Sequence, residues 1–295
     1  MSEPQGSVRP SSSSLVDVVL ATYRRPHTIG YSIQSALAQS HANFILHVVG
    51  DGCDFETERV VRSFDDPRIR FERFPKAMGF GYVHRNTVLA RASAPYVAYL
   101  TDDDLWFPDH LASGIKHLTE NALDLVAFRS IHVQFPDTLD PYFFAYDFRA
   151  GEESWLRNWF MGAVGCVHRR SIFDIIGYWN DHLFRFGDRE FYNRARVSSA
   201  RTAYINRVTL LRFFAQHWDR RYDALSEPPQ KRYLPRVQDS QWCEAIRRST
   251  EAKGRSLEVR RRQVSDFLEF GLRSGPKFAR FWYQKLTTPG LRPTP

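Results

Sequence analysis

Three short acidic stretches of this chain carry residue types that can do chemistry together. The first is Asp102-Asp103-Asp104, which follows the apolar run 96–100 and precedes Leu105-Trp106-Phe107-Pro108. Adjacent carboxylates repel one another unless a cation or solvent separates them. At a strand end they suit a hard divalent ion bound through oxygen, with phosphate oxygens completing the shell. The same triplet also reads as a solvated acidic turn capping the next helix. Being pinned between an apolar strand and a helix disfavours a free surface loop. Only two of the three carboxylates need point inward, and Asp104 is expected to face the following helix N-terminus. The second stretch is Asp51, flanked by Gly50 and Gly52 after the apolar run 44–49. It can accept hydrogen bonds from a base or ribose, or simply make a tight turn. The third is Gly187-Asp188-Arg189-Glu190-Phe191. Two carboxylates two residues apart on a helix do not share a face, so at most one reaches a site. A carboxylate beside an acceptor hydroxyl can act as general base. Asp188 also reads as a helix N-cap.

The cationic and sulfur-bearing residues narrow the chemistry. Arg85 lies one turn into a helix that follows Gly79 and Gly81, a placement that suits an anionic diphosphate or a surface salt bridge. Gly79-Phe80-Gly81 does not continue as a dinucleotide fingerprint, which excludes that class of site. The ten histidines show no metal-ligand spacing. His217, just past the strand-like run 208–214, is the one placed to reach a metal or a diphosphate, and equally reads as a surface histidine. Cys53, Cys166 and Cys243 are odd in number and form no CxxC pair. That pattern argues against a disulfide framework and structural zinc, and fits a reducing cytoplasm.

These residues need elements to hold them. Strands are expected at 16–21, 44–49, 69–74, 96–100 and from 125. Helices are expected at 27–39, 55–64, 82–92 and 108–119, from apolar residues at helical spacing and from Pro108 in a first turn. Strands alternating with helices imply an α/β fold, a mostly parallel sheet with helices on both faces. Ligands of such sheets sit outside the carboxyl ends of the strands. Thr22, Asp51, and Asp102 with Asp103 all fall there. Beyond 128 the chain is aromatic-rich and less regular, suggesting an acceptor-facing half.

The chain has 295 residues, 43% hydrophobic and 25% charged, an ordinary globular composition that excludes coiled coil and wholesale disorder. No run approaches the roughly 20 apolar residues of a membrane-spanning helix. Residues 1–14 read as a flexible leader and not a secretory signal. The net charge is +8, and residues 246–295 alone carry 12 Lys and Arg against 4 Asp and Glu, so the body is neutral and the tail basic. Apolar residues at Val264, Phe267, Leu268, Phe278, Phe281 and Trp282 suggest a helical extension of two basic amphipathic helices. Such a tail docks on an anionic membrane surface or packs on the body or on a second subunit. Residues 219–245, polar and holding Pro228, Pro229 and Pro235, read as a mobile loop.

In their order and spacing, several segments resemble family 2 glycosyltransferases of the GT-A fold. They are Val16 through Tyr23, Val49-Gly50-Asp51-Gly52-Cys53-Asp54, His84-Arg85-Asn86, Thr101-Asp102-Asp103-Asp104 with Pro108, Cys166-Val167-His168-Arg169-Arg170, and Gly187-Asp188-Arg189-Glu190. The later segments look like the bacterial spore-coat polysaccharide branch. The resemblance implies a Rossmann-like GT-A domain over 15–218, with a nucleotide-sugar-binding half at 15–122 and an acceptor and catalytic-base half at 123–218. It implies nucleotide binding by Thr22, Tyr23, Arg24, Asp51, Arg85 and Asp102, and a Mn²⁺ or Mg²⁺ ion on Asp103, to which His217, singled out by its position alone, is a further ligand candidate. It implies Asp188 as catalytic base. The segment 76–81 departs from the family's usual Asn-x-Gly before the arginine, and only Asp188 matches the usual acidic pair.

The expected activity is then inverting, metal-dependent transfer of a sugar from a nucleoside diphosphate sugar. UDP is favoured over dTDP or GDP. The acceptor is a saccharide, a lipid-linked sugar or a small molecule, with no nucleic acid as partner. The expected location is the cytoplasm, or the periphery of the membrane's inner face. The competing reading is a catalytically silent nucleotide-sugar-binding or scaffold protein on the same fold. Oligomeric state is not legible.

Overall fold

The computed structural model describes residues 14–133, 163–213 and 227–253. The chain divides into two units, Met1–Arg247 and Arg248–Pro295. The second lies outside the described residues beyond Lys253, and with it the expected tail helices; His217, within 214–226, also lies outside them.

In chain order the elements are β1 (Val16–Thr22), α1 (Ile29–Leu37), β2 (Phe44–Asp51), α2 (Phe55–Arg62), β3 (Ile69–Phe74), α3 (Tyr82–Arg91), β4 (Tyr96–Thr101), β5 (Leu105–Trp106), α4 (His110–Glu120), β6 (Leu125–Val133), β7 (Cys166–Arg169), α5 (Ile172–Ile176), α6 (Gly187–Val197), β8 (Thr202–Phe213), α7 (Pro229–Gln238) and α8 (Ser240–Lys253). The strands form one sheet in the order β3-β2-β1-β4-β7-β6-β8-β5. β3, β2, β1 and β4 run parallel, with Thr22 opposite Gly50 and Ala21 opposite Thr101. That register carries Thr22, Asp51 and the residues after Thr101 to one edge of the sheet. β7 is antiparallel to both β4 and β6, and β8 runs parallel to β6.

Both faces of the sheet are covered, as the apolar run of β1 requires. Val16, Val18 and Leu20 pack against Ile29, Ile33, Leu111 and Leu118 on one face. Val19 packs with Val88, Leu89 and Phe191 on the other. Full burial of a side chain such as Leu20 is worth about 1.5–3 kcal/mol.

At the opposite end of β1 from Thr22, the buried Asp17 joins the two halves of the sheet. His47 Nε2 bonds its Oδ1 at 2.8 Å. The Ala94 N–H and the Arg170 guanidinium donate to its Oδ2 at 2.8 and 2.6 Å. Burial alone would raise this carboxyl's pKa. The His47 bond, the Ala94 amide and Arg170 prevail and hold it below the usual value. Arg170 also donates to the carbonyls of Leu89 and Ala94, so all of its reach is spent on fastening β7 to β1 and α3.

The structure departs from the sequence reading in the C-terminal third. The loop expected over 219–245 is corrected: 229–238 and 240–253 are helical, while 219–226 lie outside the described residues. Pro228 and Pro229 stand at the helix start, where a missing N–H costs nothing. Pro235 is tolerated inside α7 because Tyr233, Leu234 and Val237 bury their side chains against Leu105, Ile131 and Leu211. Packing overrides the local proline penalty there. Neither β5 nor β7 was expected, since both are shorter than a pattern can reveal.

Candidate active site

The carboxylate triplet leaves β4 into a turn, and its three members have different fates. Asp104 accepts the Thr101 hydroxyl at 2.5 Å and the Phe213 N–H at 2.9 Å, with Arg212 Nε 3.5 Å away. This corrects the expectation that Asp104 faces the next helix: it is spent on binding the turn to β8. Asp109 takes the position before α4 instead. Asp102 accepts the Tyr23 N–H at 3.3 Å and lies 3.9 Å from Arg25 Nε. Burial raises its pKa, against the pull of Arg25 and the Thr22 hydroxyl. Asp103 is raised furthest, by burial first and then by the charges of Asp104 and Asp102, with Arg25 and Arg212 opposing. Its carbonyl accepts the side-chain amide of Gln230 at 2.8 Å, which fastens α7 to the same turn.

Two acidic groups held side by side and pushed toward protonation fit a divalent cation, whose charge would reverse that push. Among the described residues no group of three or more His, Cys, Asp or Glu side chains is arranged to hold a metal. The fit is therefore to an ion shared with an oxygen-rich ligand such as a diphosphate.

Asp51, buried at the end of β2, accepts Lys76 Nζ at 2.6 Å and the Ala77 N–H at 2.7 Å, with His84 Nε2 at 3.5 Å. Lys76 also donates to the carbonyls of Ala77 and Gly79, and its ammonium lies 5.2 Å from the Tyr23 ring centroid. The segment 75–81 is thereby folded over the strand end. Gly81 must be glycine, since its φ is +66° and a Cβ would stand 2.7 Å from the Asp51 carboxyl carbon. Tyr23 is exposed beside this group. Arg24, at φ 51°, turns to the rim, 3.9 Å from Asp54, so Arg25 and not Arg24 reaches the carboxylates.

Arg85, in the first turn of α3, is held by rings. Its guanidinium carbon lies 5.3 Å from the Tyr82 centroid and 5.5 Å from that of Trp179. Those two rings stack at 5.7 Å, and Trp179 stacks on Phe191 at 4.7 Å. Asn86 clamps the Trp179 backbone with two hydrogen bonds. The Arg85 Nε is buried without a hydrogen-bond partner among the described residues. A cation fixed by aromatic faces keeps its donors for an external anion.

α6 supplies the second acidic group. Its cap is Phe186 in the left-handed region, so Asp188 is not the N-cap but sits inside the first turn. The Gly187 N–H donates to the Tyr82 hydroxyl at 3.0 Å, and a Cβ at Gly187 would lie 2.5 Å from that ring. The contact seats α6 directly on α3. Glu190 is consumed by Arg194, which reaches its two oxygens at 2.6 and 3.0 Å. The Asp188 carboxylate accepts the adjacent Arg189 N–H at 2.9 Å, and its charge bears on Tyr82 and Cys166. Of the two acids, Asp188 is the one that faces the α3 side.

The structure thus brings Thr22, Tyr23, Asp51, Arg85, Asp102 and Asp103 to one edge and sets Asp188 beside it through Tyr82. Sequence reasoning missed Arg25, Lys76, Arg212 and Gln230. Arg25 had a local signal, two residues past Tyr23. The others are brought in from 76, 212 and 230 by tertiary packing alone.

The family model described as glycosyl transferase family 2 matches residues 17–176, more than half of the chain. The chain therefore belongs to glycosyl transferase family 2. Among curated relatives it is 34% identical over 112 residues to the Escherichia coli UDP-Glc:alpha-D-GlcNAc-diphosphoundecaprenol beta-1,3-glucosyltransferase WfgD, over 38% of this chain and 44% of that one. It is 23% identical over 198 residues to the Bacillus subtilis protein CgeD, over 61% of this chain and 45% of that one. The chain spans less than half the length of these relatives. Among solved structures it resembles S. aureus TarS 1–349 in complex with UDP-GlcNAc, with a TM-score of 0.56 at 15% identity over 76% of this chain and 65% of that one. It also resembles the Pyrobaculum calidifontis mannosyltransferase PcManGT in complex with GDP-Man and Mn²⁺, with a TM-score of 0.51 at 16% identity over 90% and 82%. These likenesses establish the GT-A fold. No helix among the described residues is long and apolar enough to cross a membrane.

Proposed function

We propose that this chain transfers a sugar from a nucleoside diphosphate sugar, UDP-linked by preference, to an acceptor hydroxyl with inversion at the anomeric carbon. The observation that carries the reading is the division of labour among its acids. Asp104 and Glu190 are held by internal partners, Asp102 and Asp103 are crowded together at the end of β4, and Asp188 accepts the Arg189 N–H close enough to Tyr82 for its charge to act there. Asp51 and Tyr23 line the base side, and Asp102 the ribose side. Arg85 meets the diphosphate, where the charge of the leaving group develops. Asp103, with the diphosphate oxygens, would hold Mn²⁺ or Mg²⁺, which would supply Lewis-acid stabilisation of that charge. Asp188 takes the proton of the acceptor hydroxyl as its oxygen attacks the anomeric carbon. One inversion needs one base and no covalent intermediate, and of the two acids of α6 Asp188 is the one not gripped by Arg194. WfgD and TarS, named with UDP-linked donors, support UDP over GDP, and PcManGT supports the reverse.

Isothermal titration of the full chain with UDP, dTDP and GDP, each with and without Mn²⁺, tests the reading. Metal-dependent binding of one nucleotide, lost in Asp103→Ala, is the expected result. Absence of binding by all three nucleotides would sink it and leave the scaffold reading.

A further inference from the structure

The base side of the crevice is shut. Asp51 ends β2 at the functional edge, yet its side chain is only 3% exposed. The Ala77 N–H donates to its Oδ1 at 2.7 Å and the Lys76 ammonium to its Oδ2 at 2.6 Å. His84 Nε2 stands 3.5 Å from Oδ1, its ring stacked on Phe74 with centroids 4.5 Å apart. Gly81 closes the remaining side, where a Cβ would lie 2.7 Å from the carboxyl carbon. A nucleobase reaches neither oxygen of Asp51 while these groups stay in place.

The groups differ in how easily they yield. The backbone of the segment is wedged at both ends. A Cβ at Gly79 would stand 2.6 Å from the Phe184 carbonyl oxygen, and a Cβ at Gly52 2.6 Å from that of Lys76. His84 is fixed by its stacking and donates Nε2–H to the Pro75 carbonyl at 2.8 Å. Lys76 is different. Its side chain is 38% exposed, and its ammonium ends a flexible four-carbon stem. With the Cβ anchored against Gly52, the ammonium end is the part free to move. That end makes three hydrogen bonds, to Asp51 and to the carbonyls of Ala77 and Gly79 at 2.7 and 2.9 Å. A lysine has three donors, so none is left for a ligand while the side chain stays folded in. The ammonium also lies 5.2 Å from the centroid of the exposed Tyr23 ring. It therefore stands on the carboxylate oxygen that a base N–H would need, beside the ring on which a base could stack.

We propose that Lys76 is a latch on the base side of the crevice, whose ammonium must leave Asp51 Oδ2 and swing to solvent before a nucleobase N–H takes its place. The latch rests on the reading of the crevice as a nucleoside diphosphate sugar site. Ala77 keeps Oδ1 throughout, so the exchange is one donor for another on Oδ2. Nucleotide affinity is then lowered by the fraction of molecules whose latch is shut. A diphosphate without a base makes no demand on Asp51 and escapes that reduction.

The test is isothermal titration of the full chain with UDP and with inorganic pyrophosphate, each with Mn²⁺, beside Lys76→Met and Lys76→Gln. Lys76→Met should tighten UDP about tenfold, the worth of one charge-assisted hydrogen bond that no longer has to be broken. Lys76→Gln keeps a neutral donor and should tighten it less. Pyrophosphate affinity should be the same in all three chains. Since Lys76→Met strips a buried carboxylate of its cation, a measurement on the unaltered chain stands beside it. UDP with Mn²⁺ should raise acylation of Lys76 by acetic anhydride, read by mass spectrometry, and pyrophosphate with Mn²⁺ should not. UDP bound no tighter by either folded variant, or Lys76 labelled no faster with UDP bound, overturns the latch and leaves the transferase reading intact. An equal change for UDP and pyrophosphate also overturns it, as a general effect of charge. UDP binding by Lys76→Met alone would support both readings. Failure of UDP to bind any of the three chains would strike the transferase reading and the latch with it.

Discussion

Glu190 and Asp188 stand two residues apart and are held differently: Arg194 grips both oxygens of Glu190, while Asp188 accepts the backbone N–H of the adjacent Arg189. Glu190 with Arg194 is a partly exposed i, i+4 pair, worth up to about 1 kcal/mol. Glu190→Gln should lower Tm by a few degrees and change turnover little. Asp188→Asn should lower kcat about 10²–10⁴-fold, the range for loss of a general base, with nucleotide affinity preserved. Steady-state kinetics beside isothermal titration separates the two. Equal losses in both variants would remove the distinction between the acids.

At the scale of elements, position depends on close approaches that only small residues allow. Gly187 seats α6 on the Tyr82 ring. In Gly187→Ala the new methyl, 2.5 Å from that ring, must push the helices apart. The cost is about 1–3 kcal/mol of stability. Because the displaced helix carries Asp188, kcat should fall more than UDP affinity does. Asp17 works at the other end of β1. Asp17→Ala leaves the Arg170 guanidinium and the buried His47 without their acceptor, and breaking such a pair costs about 3–5 kcal/mol. Chemical denaturation should show that loss. UDP binding of the folded fraction should persist, since Asp17 is at the far end of the strand from Thr22.

For the whole molecule, acid sensitivity follows from two buried histidines. Burial lowers His110 to about 3 and His168 to about 4. Above pH of about 6.5 neither state of the chain protonates them, and they are indifferent to pH. As pH falls below that, the unfolded chain takes up protons that the folded chain refuses. Stability then falls by up to about 1.4 kcal/mol per pH unit for each histidine, until His168 and later His110 protonate in place. Asp17, held low, extends the loss below the ordinary carboxylate range. Asp102 and Asp103, held high, oppose it, because the folded chain binds their protons first. Tm should drop between pH 6.5 and 4, and His168→Phe should reduce the slope over that window. An unchanged slope would place the proton uptake elsewhere.

The sequence by itself determined the parallel half of the sheet and the acids at its edge. A buried parallel strand must be apolar throughout, so β1, β2 and β4 announce themselves, and their polar ends mark the crevice. The glycines at 79 and 81 mark the start of α3 and so the place of Arg85 in its first turn, whereas the cap position read for Asp188 is taken by Phe186. Tertiary structure alone decided which acids are available, since availability depends on partners distant in sequence. Phe213 and Arg212 claim Asp104, and Gln230 fastens the Asp103 turn. It also decided that α7 is a helix despite Pro235, because the energy of burying Tyr233, Leu234 and Val237 comes from strands elsewhere in the chain. Local pattern reports propensity and periodicity; a hydrogen-bond partner a hundred residues away leaves no mark on either.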